Sequence, residues 1–335
     1  MRIRISDPTL RDGQHAVAHQ LSERHIRLYA RAANAAGVPI VEVGHGNGLG
    51  ASSLLIGKSR VSDRCMLLAA REELTSSRLG IHLIPGFATI ERDVRPAIEL
   101  GVDVFRVASH CSEADLTRRH IEFLRGEEKE VHGVLMMSHM APVTVLVEEA
   151  LKMQSYGAQA VIIMDSAGSY MPREVTDRIG ELCGALSVPV GFHAHNNLGL
   201  AIANTVAAVE AGARLLDGTA RGFGAGAGNT QLEVLIAVLH KLGYETGIEL
   251  TGMLAASDLA EREFVHTLPF SKSMSIISGL TGVFSGYAKP VEQMSREYGV
   301  DPLEVFYELG RRRVIAGQED LILEIVLDLA KRKGA

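Results

Sequence analysis

The chain has 335 residues, 47% hydrophobic and 22% charged, a globular balance that excludes a disordered protein or a disulfide scaffold. Its formal charge of −6, with no long Lys/Arg run, leaves no clustered positive charge for nucleic acid or an anionic membrane. The three cysteines, Cys65, Cys111 and Cys183, are widely spaced, so no disulfide framework is expected and a reducing cytoplasm fits best. No apolar run reaches the roughly 18 residues of a membrane span, and the start, MRIRISDPTLRDG, turns too polar for a signal peptide. A small-molecule substrate is the expectation that remains.

Short β-branched runs recur at intervals of roughly 25 to 35 residues, separated by segments with helical spacing of apolar positions. Eight such runs are predicted as strands: Arg2 to Asp7, Pro39 to Gly44, Gly80 to Pro85, Val102 to Ala108, Val131 to Ser138, Gln159 to Asp165, Val188 to His193 and Arg214 to Thr219. The segment LSERHIRLYARAANAAG reads as a helix with Ser22 as N-cap and Gly37 as its stop, and PREVTDRIGELCGAL as one opening at Pro172. Eight βα units predict an α/β fold, a (β/α)8 TIM barrel. Beyond Gly247 no strand is predicted. The division expected is therefore a catalytic barrel over 1–247 and a helical C-terminal region over 248–335, packed on the barrel and suited to binding a partner.

In such a barrel the chemistry sits on the loops leaving the C-terminal strand ends. Those ends carry DPTLRDGQH, VGHGNG, ASHCSE, MMSHM, MDSAG, FHAHNN and DGTARGFGAGAGN, which gather His45, His110, His139, His193, His195, Asp12, Asp165 and Asp217 at one mouth. His193 and His195 are two apart on a strand, so both imidazoles face one side. They read either as structural histidines hydrogen-bonded to neighbouring strands or, with Asp7 or Asp12 from the first loop, as ligands of a divalent ion such as Mn2+, Fe2+, Co2+ or Zn2+. Arg11 reads as a brace to a strand-end acid such as Glu42 or as a fixed charge for an enolate or carboxylate oxygen. His15 reads as an exposed loop histidine or a general base. GFGAGAGN is a weak anion-loop signal. No strand end offers a lysine for Schiff-base chemistry, and GxSxG and GxxxxGK[ST] are absent.

With VEVGHGNGLGASS, VASHCSEAD, LMMSHM, DSAG, HAHNNL, GAGAGNTQLEV and the C-terminal ELGRRRVIAGQEDLI, the opening DPTLRDGQHAVAHQ resembles the 4-hydroxy-2-oxovalerate aldolases along essentially the whole chain. These are the metal-dependent branch of the superfamily shared with hydroxymethylglutaryl-CoA lyase and the isopropylmalate and homocitrate synthases. The resemblance implies class II retro-aldol cleavage of a 4-hydroxy-2-oxo acid to pyruvate and an aldehyde. It implies Asp12, His193 and His195 as ligands of a divalent metal, usually Mn2+, with Arg11 stabilising the pyruvate enolate and His15 as base. Ser166 would help hold the substrate carboxylate beside Arg11, Asp12 and His193, and Asn229 would stand behind the ligands. Where the family usually reads GVYSS, this chain has Gly282-Val283-Phe284-Ser285-Gly286, so Phe284 replaces a substrate-contacting tyrosine and Tyr287 lies three residues on. The implied partner is an acylating acetaldehyde dehydrogenase that takes the aldehyde directly. Two alternatives stay open: a sibling lyase or carboligase acting on another 2-oxo acid or an acyl-CoA, and a mainly structural subunit of an aldehyde dehydrogenase.

Overall fold

A computed structural model describes residues 2–315 and 318–334. Ala316 and Gly317, within the C-terminal motif quoted above, lie outside the described residues, as do Met1 and Ala335.

All eight predicted strands form: β1 (Arg4–Leu10), β2 (Ile40–Val43), β3 (Arg78–Leu83), β4 (Val104–His110), β5 (Glu130–Met136), β6 (Ala160–Asp165), β7 (Val190–Ala194) and β8 (Leu215–Asp217). They pair in parallel in sequence order, and β1 closes on β8 through Arg4 opposite Leu215 and Ser6 opposite Asp217. Closure abolishes sheet edges and directs every strand end to one mouth. The helix Glu23–Ala35 begins where predicted: Ser22 Oγ accepts from the His25 amide and His25 Nδ1 accepts from the Ser22 amide. Such a reciprocal cap contributes about 1 kcal/mol. Gly37, at φ +78°, ends the same helix in the left-handed conformation that suits glycine. Pro172 opens the helix Pro172–Ala185, its missing N–H costing nothing there.

The outward strand residues, such as Ile5, Val41, Ile81, Phe105, Val131, Ile163 and Phe192, are buried beneath the helix ring. Residues of the opposite parity face the lumen, where Ala108, Val134, Ile162 and Met164 form a small apolar cluster. Glu42, His82, Arg106, His132, His193 and Asp217 are buried charged or polar groups of the strands.

Beyond the barrel the described residues are helical, with Leu250–Glu263, Ser273–Thr281, Ala288–Tyr298, Pro302–Arg311 and Asp320–Gly334 as the helices. The first of these packs on Glu23–Ala35, and its Met253, Ala256 and Ala260 join the barrel core. A second core then gathers Val283, Tyr287, Val291, Val305, Phe306, Leu309, Ile322 and Val326. The division drawn at 247/248 thus precedes a helix whose apolar side belongs to the barrel. The two cores are joined at the mouth: His139 Nε2 donates to the Gly282 carbonyl at 2.8 Å, and Arg313 Nη2 to the Met140 carbonyl at 2.6 Å. Asn197 Nδ2 donates to the Ala167 carbonyl at 2.8 Å and to Ser285 Oγ at 2.6 Å.

Candidate active site

Asp12, on the short helical turn Asp12–His15 after β1, meets His193 and His195 at the end of β7. One ligand atom from each of the three lies within 4.8 Å of the others, and all three residues are buried. His193 Nε2 is 3.4 Å from His195 Nε2 and 3.7 Å from Asp12 Oδ2. The period of two along a strand brings the imidazoles together, and the β7–β8–β1 order brings the carboxylate to them. Between the two acids of the first loop the geometry chooses clearly. Asp7 is turned away, accepting from the Thr9 amide at 2.9 Å and from Tyr29 Oη at 2.6 Å.

Burial would raise the pKa of Asp12, but the Arg11 guanidinium and the neighbouring histidines hold it well below the usual carboxylate range. Burial pushes His195 down to about 4, with the Asp12 charge opposing, so its ring is neutral near pH 7. An ionised carboxylate and two imidazoles are a donor set for a borderline divalent cation. His195 Nδ1 and both side-chain polar atoms of Asn229 are buried without a hydrogen bond to any described residue. Asn229 forms an isolated bridge with His195, which puts its unpaired amide beside the cluster. These residues fit a divalent ion.

Arg11 combines the two readings available from sequence. Its Nε donates to Glu42 Oε1 at 2.5 Å and its Nη1 to Asp12 Oδ2 at 2.7 Å, which fixes the guanidinium plane. Its Nη2 is buried and makes no bond to the described residues, leaving a donor for an anionic oxygen. His15 is half-buried at the mouth, not an exposed loop residue. Its pKa is lowered, chiefly by that burial and partly by Arg11, against the pull of Asp12. The ring lies so close to Gly46 that a Cβ there would sit 2.6 Å from His15 Nε2. It meets His19 edge-on at 5.3 Å, and His19 in turn stacks on His45 at 3.6 Å. Lys289, from the helix Ala288–Tyr298, adds positive potential at His15 and His19, a contribution from the C-terminal region that the sequence did not suggest.

Ser166, after β6, is buried and its Oγ accepts from the Met137 amide at 2.9 Å, which leaves the hydroxyl hydrogen free to donate. Phe284 packs at the border of the C-terminal core, its ring against the bare Cα of Gly286. Tyr287 is buried in that core and donates its phenol to the Ile315 carbonyl at 2.5 Å, so its hydroxyl is already committed. The loop GFGAGAGN is packed, not an open anion cradle. A Cβ on Gly228 would strike the Gly222 carbonyl, and the Ala225 amide donates to Asp12 Oδ1 at 3.3 Å.

Sequence reasoning passed over Arg106. Its Nη1 donates to Glu42 Oε2 at 2.7 Å and its Nη2 to Asp217 Oδ2 at 2.6 Å, and the same Asp217 oxygen also accepts from His193 Nδ1 at 2.7 Å. A lone arginine inside the otherwise apolar run VFRVA was the available signal.

The closed barrel with a buried Asp–His–His cluster and an arginine beside it defines a TIM-barrel protein with a candidate divalent-cation site. The HMGL-like family model matches residues 2–260, and a DmpG-like communication domain matches residues 269–331. A 4-hydroxy-2-oxovalerate aldolase of Spirochaeta aurantia is 62% identical over 98% of this chain and 96% of its own length. One from Pectobacterium atrosepticum is 59% identical over 99% and 96%, and one from Streptomyces tendae 55% over 99% and 93%. The carboxyl transferase domain of Rhizobium etli pyruvate carboxylase shares the fold, with a TM-score of 0.82 at 16% identity over 99% of this chain and 60% of that one. The chain belongs to the 4-hydroxy-2-oxovalerate aldolase family, within the HMGL-like proteins, and is a carbon–carbon lyase. These relatives support neither the sibling carboligase nor the purely structural subunit. Among the described residues no helix is long and apolar enough to cross a membrane.

Proposed function

We propose that the protein cleaves 4-hydroxy-2-oxovalerate, or a close 4-hydroxy-2-oxo acid, to pyruvate and an aldehyde such as acetaldehyde. The observation that carries this reading is the buried Asp12–His193–His195 cluster with the free Arg11 Nη2 beside it. Asp12, His193 and His195 would hold the divalent ion, with Mn2+ our choice because the family resemblance implies it. When bound, such an ion supplies Lewis-acid polarisation of the substrate's 2-oxo group.

The chain's own residues then divide the remaining work. Ser166 and Arg11 orient the substrate carboxylate and 2-oxo group. His15, kept neutral by burial, takes the proton of the C4 hydroxyl. As the C4–O bond becomes a carbonyl, the C3–C4 bond breaks and its electron pair forms the C2–C3 double bond of pyruvate enolate. Arg11 Nη2 donates to the developing enolate oxygen, and a proton returned to C3 gives pyruvate. Asn229 supports the cluster from behind, and Phe284 offers an apolar wall where a phenol was expected.

We further infer that residues 269–331 bind an acylating acetaldehyde dehydrogenase, which would receive the aldehyde in a shared cytoplasmic assembly. The match to a communication domain supports this, as do the exposed apolar side chains Phe270, Ile276, Leu280, Leu323 and Leu327. The activity is tested by stripping the protein with EDTA and following pyruvate release from 4-hydroxy-2-oxovalerate before and after Mn2+ is returned. Full activity in the stripped protein, or a covalent adduct trapped by borohydride, would sink the proposal.

A further inference from the structure

The geometry assigns Asp217 and Arg106 as positioning residues that fix the tautomer of His193 and through it the metal affinity of the cluster. The inference rests on the metal-dependent reading above. Five buried side chains form one unbroken line, Asp12–Arg11–Glu42–Arg106–Asp217, and its last member bonds back to His193. Each link joins opposite charges: 2.7 Å from Arg11 to Asp12, 2.5 Å from Arg11 to Glu42, 2.7 Å from Arg106 to Glu42 and 2.6 Å from Arg106 to Asp217.

Arg106 touches none of the three proposed ligands. Its two Nη groups instead hold the carboxylates of Glu42 and Asp217 on opposite sides. Asp217 can only accept, so the 2.7 Å bond to His193 Nδ1 requires the proton on Nδ1. The Nε2 lone pair then faces Asp12 and His195, as a metal ligand must. Nothing else in the described structure bonds His193 Nδ1, so this one carboxylate chooses between a ligating and a non-ligating imidazole.

Asp217→Asn keeps an oxygen where Oδ2 sits, so it preserves the acceptor that Arg106 Nη2 and His193 Nδ1 share and serves as the conservative control. Asp217→Leu has a similar volume and no acceptor. Nothing then pins the histidine proton to Nδ1, and the tautomer protonated at Nε2, which cannot ligate through that atom, becomes populated. The prediction is a Mn2+ dissociation constant raised about ten- to a hundredfold, read by electron paramagnetic resonance of free Mn2+. Arg106→Lys, which cannot bridge both carboxylates, should raise it by less. Long-range 15N–1H spectra of histidine-labelled, metal-free protein should show His193 protonated at Nδ1 in the wild type and in Asp217→Asn, and partly at Nε2 in Asp217→Leu. Nε2 protonation in the wild type, or a folded Asp217→Leu variant with unchanged Mn2+ affinity, would overturn the inference. If the wild type bound no Mn2+, the metal reading would fail instead, and the tautomer spectra would still decide the role of Asp217.

Discussion

Gly46→Ala offers a way to displace the proposed base without removing it. The added methyl carbon would sit 2.6 Å from His15 Nε2 and 2.7 Å from its Cδ2 and Cε1. Ordinary carbon contacts lie at about 3.5 to 4 Å, so the imidazole must move by about 1 Å. Gly46 has no positive φ, so alanine fits the backbone and the strain falls on the ring. A misplacement of about 1 Å costs about a hundredfold in rate, or about 2.7 kcal/mol of barrier. Turnover would be measured by coupling pyruvate to NADH oxidation through lactate dehydrogenase. The companion His15→Asn should lose about a hundred- to ten-thousandfold in kcat, yet still exchange the methyl protons of pyruvate with deuterated water, because enolisation does not need the C4-hydroxyl base. In the His15→Asn background Gly46→Ala should cost almost nothing further, since the group it displaces is gone. The reasoning is refuted if Gly46→Ala keeps more than half of kcat, or if its penalty is the same with and without His15.

Burial pushes His82 down to about 3, with Arg11 adding to the shift, whereas an unfolded histidine titrates near about 6.5. The unfolded chain therefore takes a proton that the folded one refuses, and stability present above about pH 6.5 is lost as pH falls toward 3. Relative to His82→Asn, which cannot titrate, the wild type should lose about 1.4 kcal/mol per pH unit between pH 6 and 4 in urea titrations; parallel curves would exclude the effect. Asn197→Ala would strip partners from the buried Ala167 carbonyl and Ala227 amide and from Ser285. The expected cost is about 3 to 5 kcal/mol in equilibrium unfolding, and a loss under about 1 kcal/mol would show that Asn197 does not join the two cores.

The barrel was legible because its signals are local and repeated: a β-branched run followed by a helix, eight times over, with a capped start at Ser22 and glycine stops such as Gly37. His193 and His195 were legible because strand parity dictates that they share a face. The choice of Asp12 over Asp7 was carried by the family resemblance and not by spacing, since it depends on Tyr29, a residue of the first helix that captures Asp7 from across the barrel wall. Arg106 was hidden for a related reason, its two partners lying on β2 and β8 far along the chain. The start of the second core was blurred because the helix Leu250–Glu263 follows the last strand like an appendage yet packs on the first helix.

The charges buried around the cluster also constrain what it can hold. Asp12, Glu42 and Asp217 are all held below their usual pKa by the two guanidiniums, and those of Arg11 and Arg106 are held above theirs by the carboxylates, so all five are ionised at neutral pH. Three negative and two positive charges leave one net negative charge in a region with almost no solvent. Burying an uncompensated charge is expensive, so the favoured occupants bring the local sum toward zero. A divalent cation turns the sum to one positive, and the single carboxylate of a 2-oxo acid then neutralises it. A dicarboxylate would leave an excess negative charge, and a neutral ketone an excess positive one. On this accounting the order of binding follows as well: the ion reverses the sign of the site, and only then does electrostatics draw a monocarboxylate to it. Substrate affinity should therefore collapse in metal-free protein, which equilibrium dialysis with radiolabelled pyruvate would show; equal pyruvate binding with and without Mn2+ would contradict the charge argument.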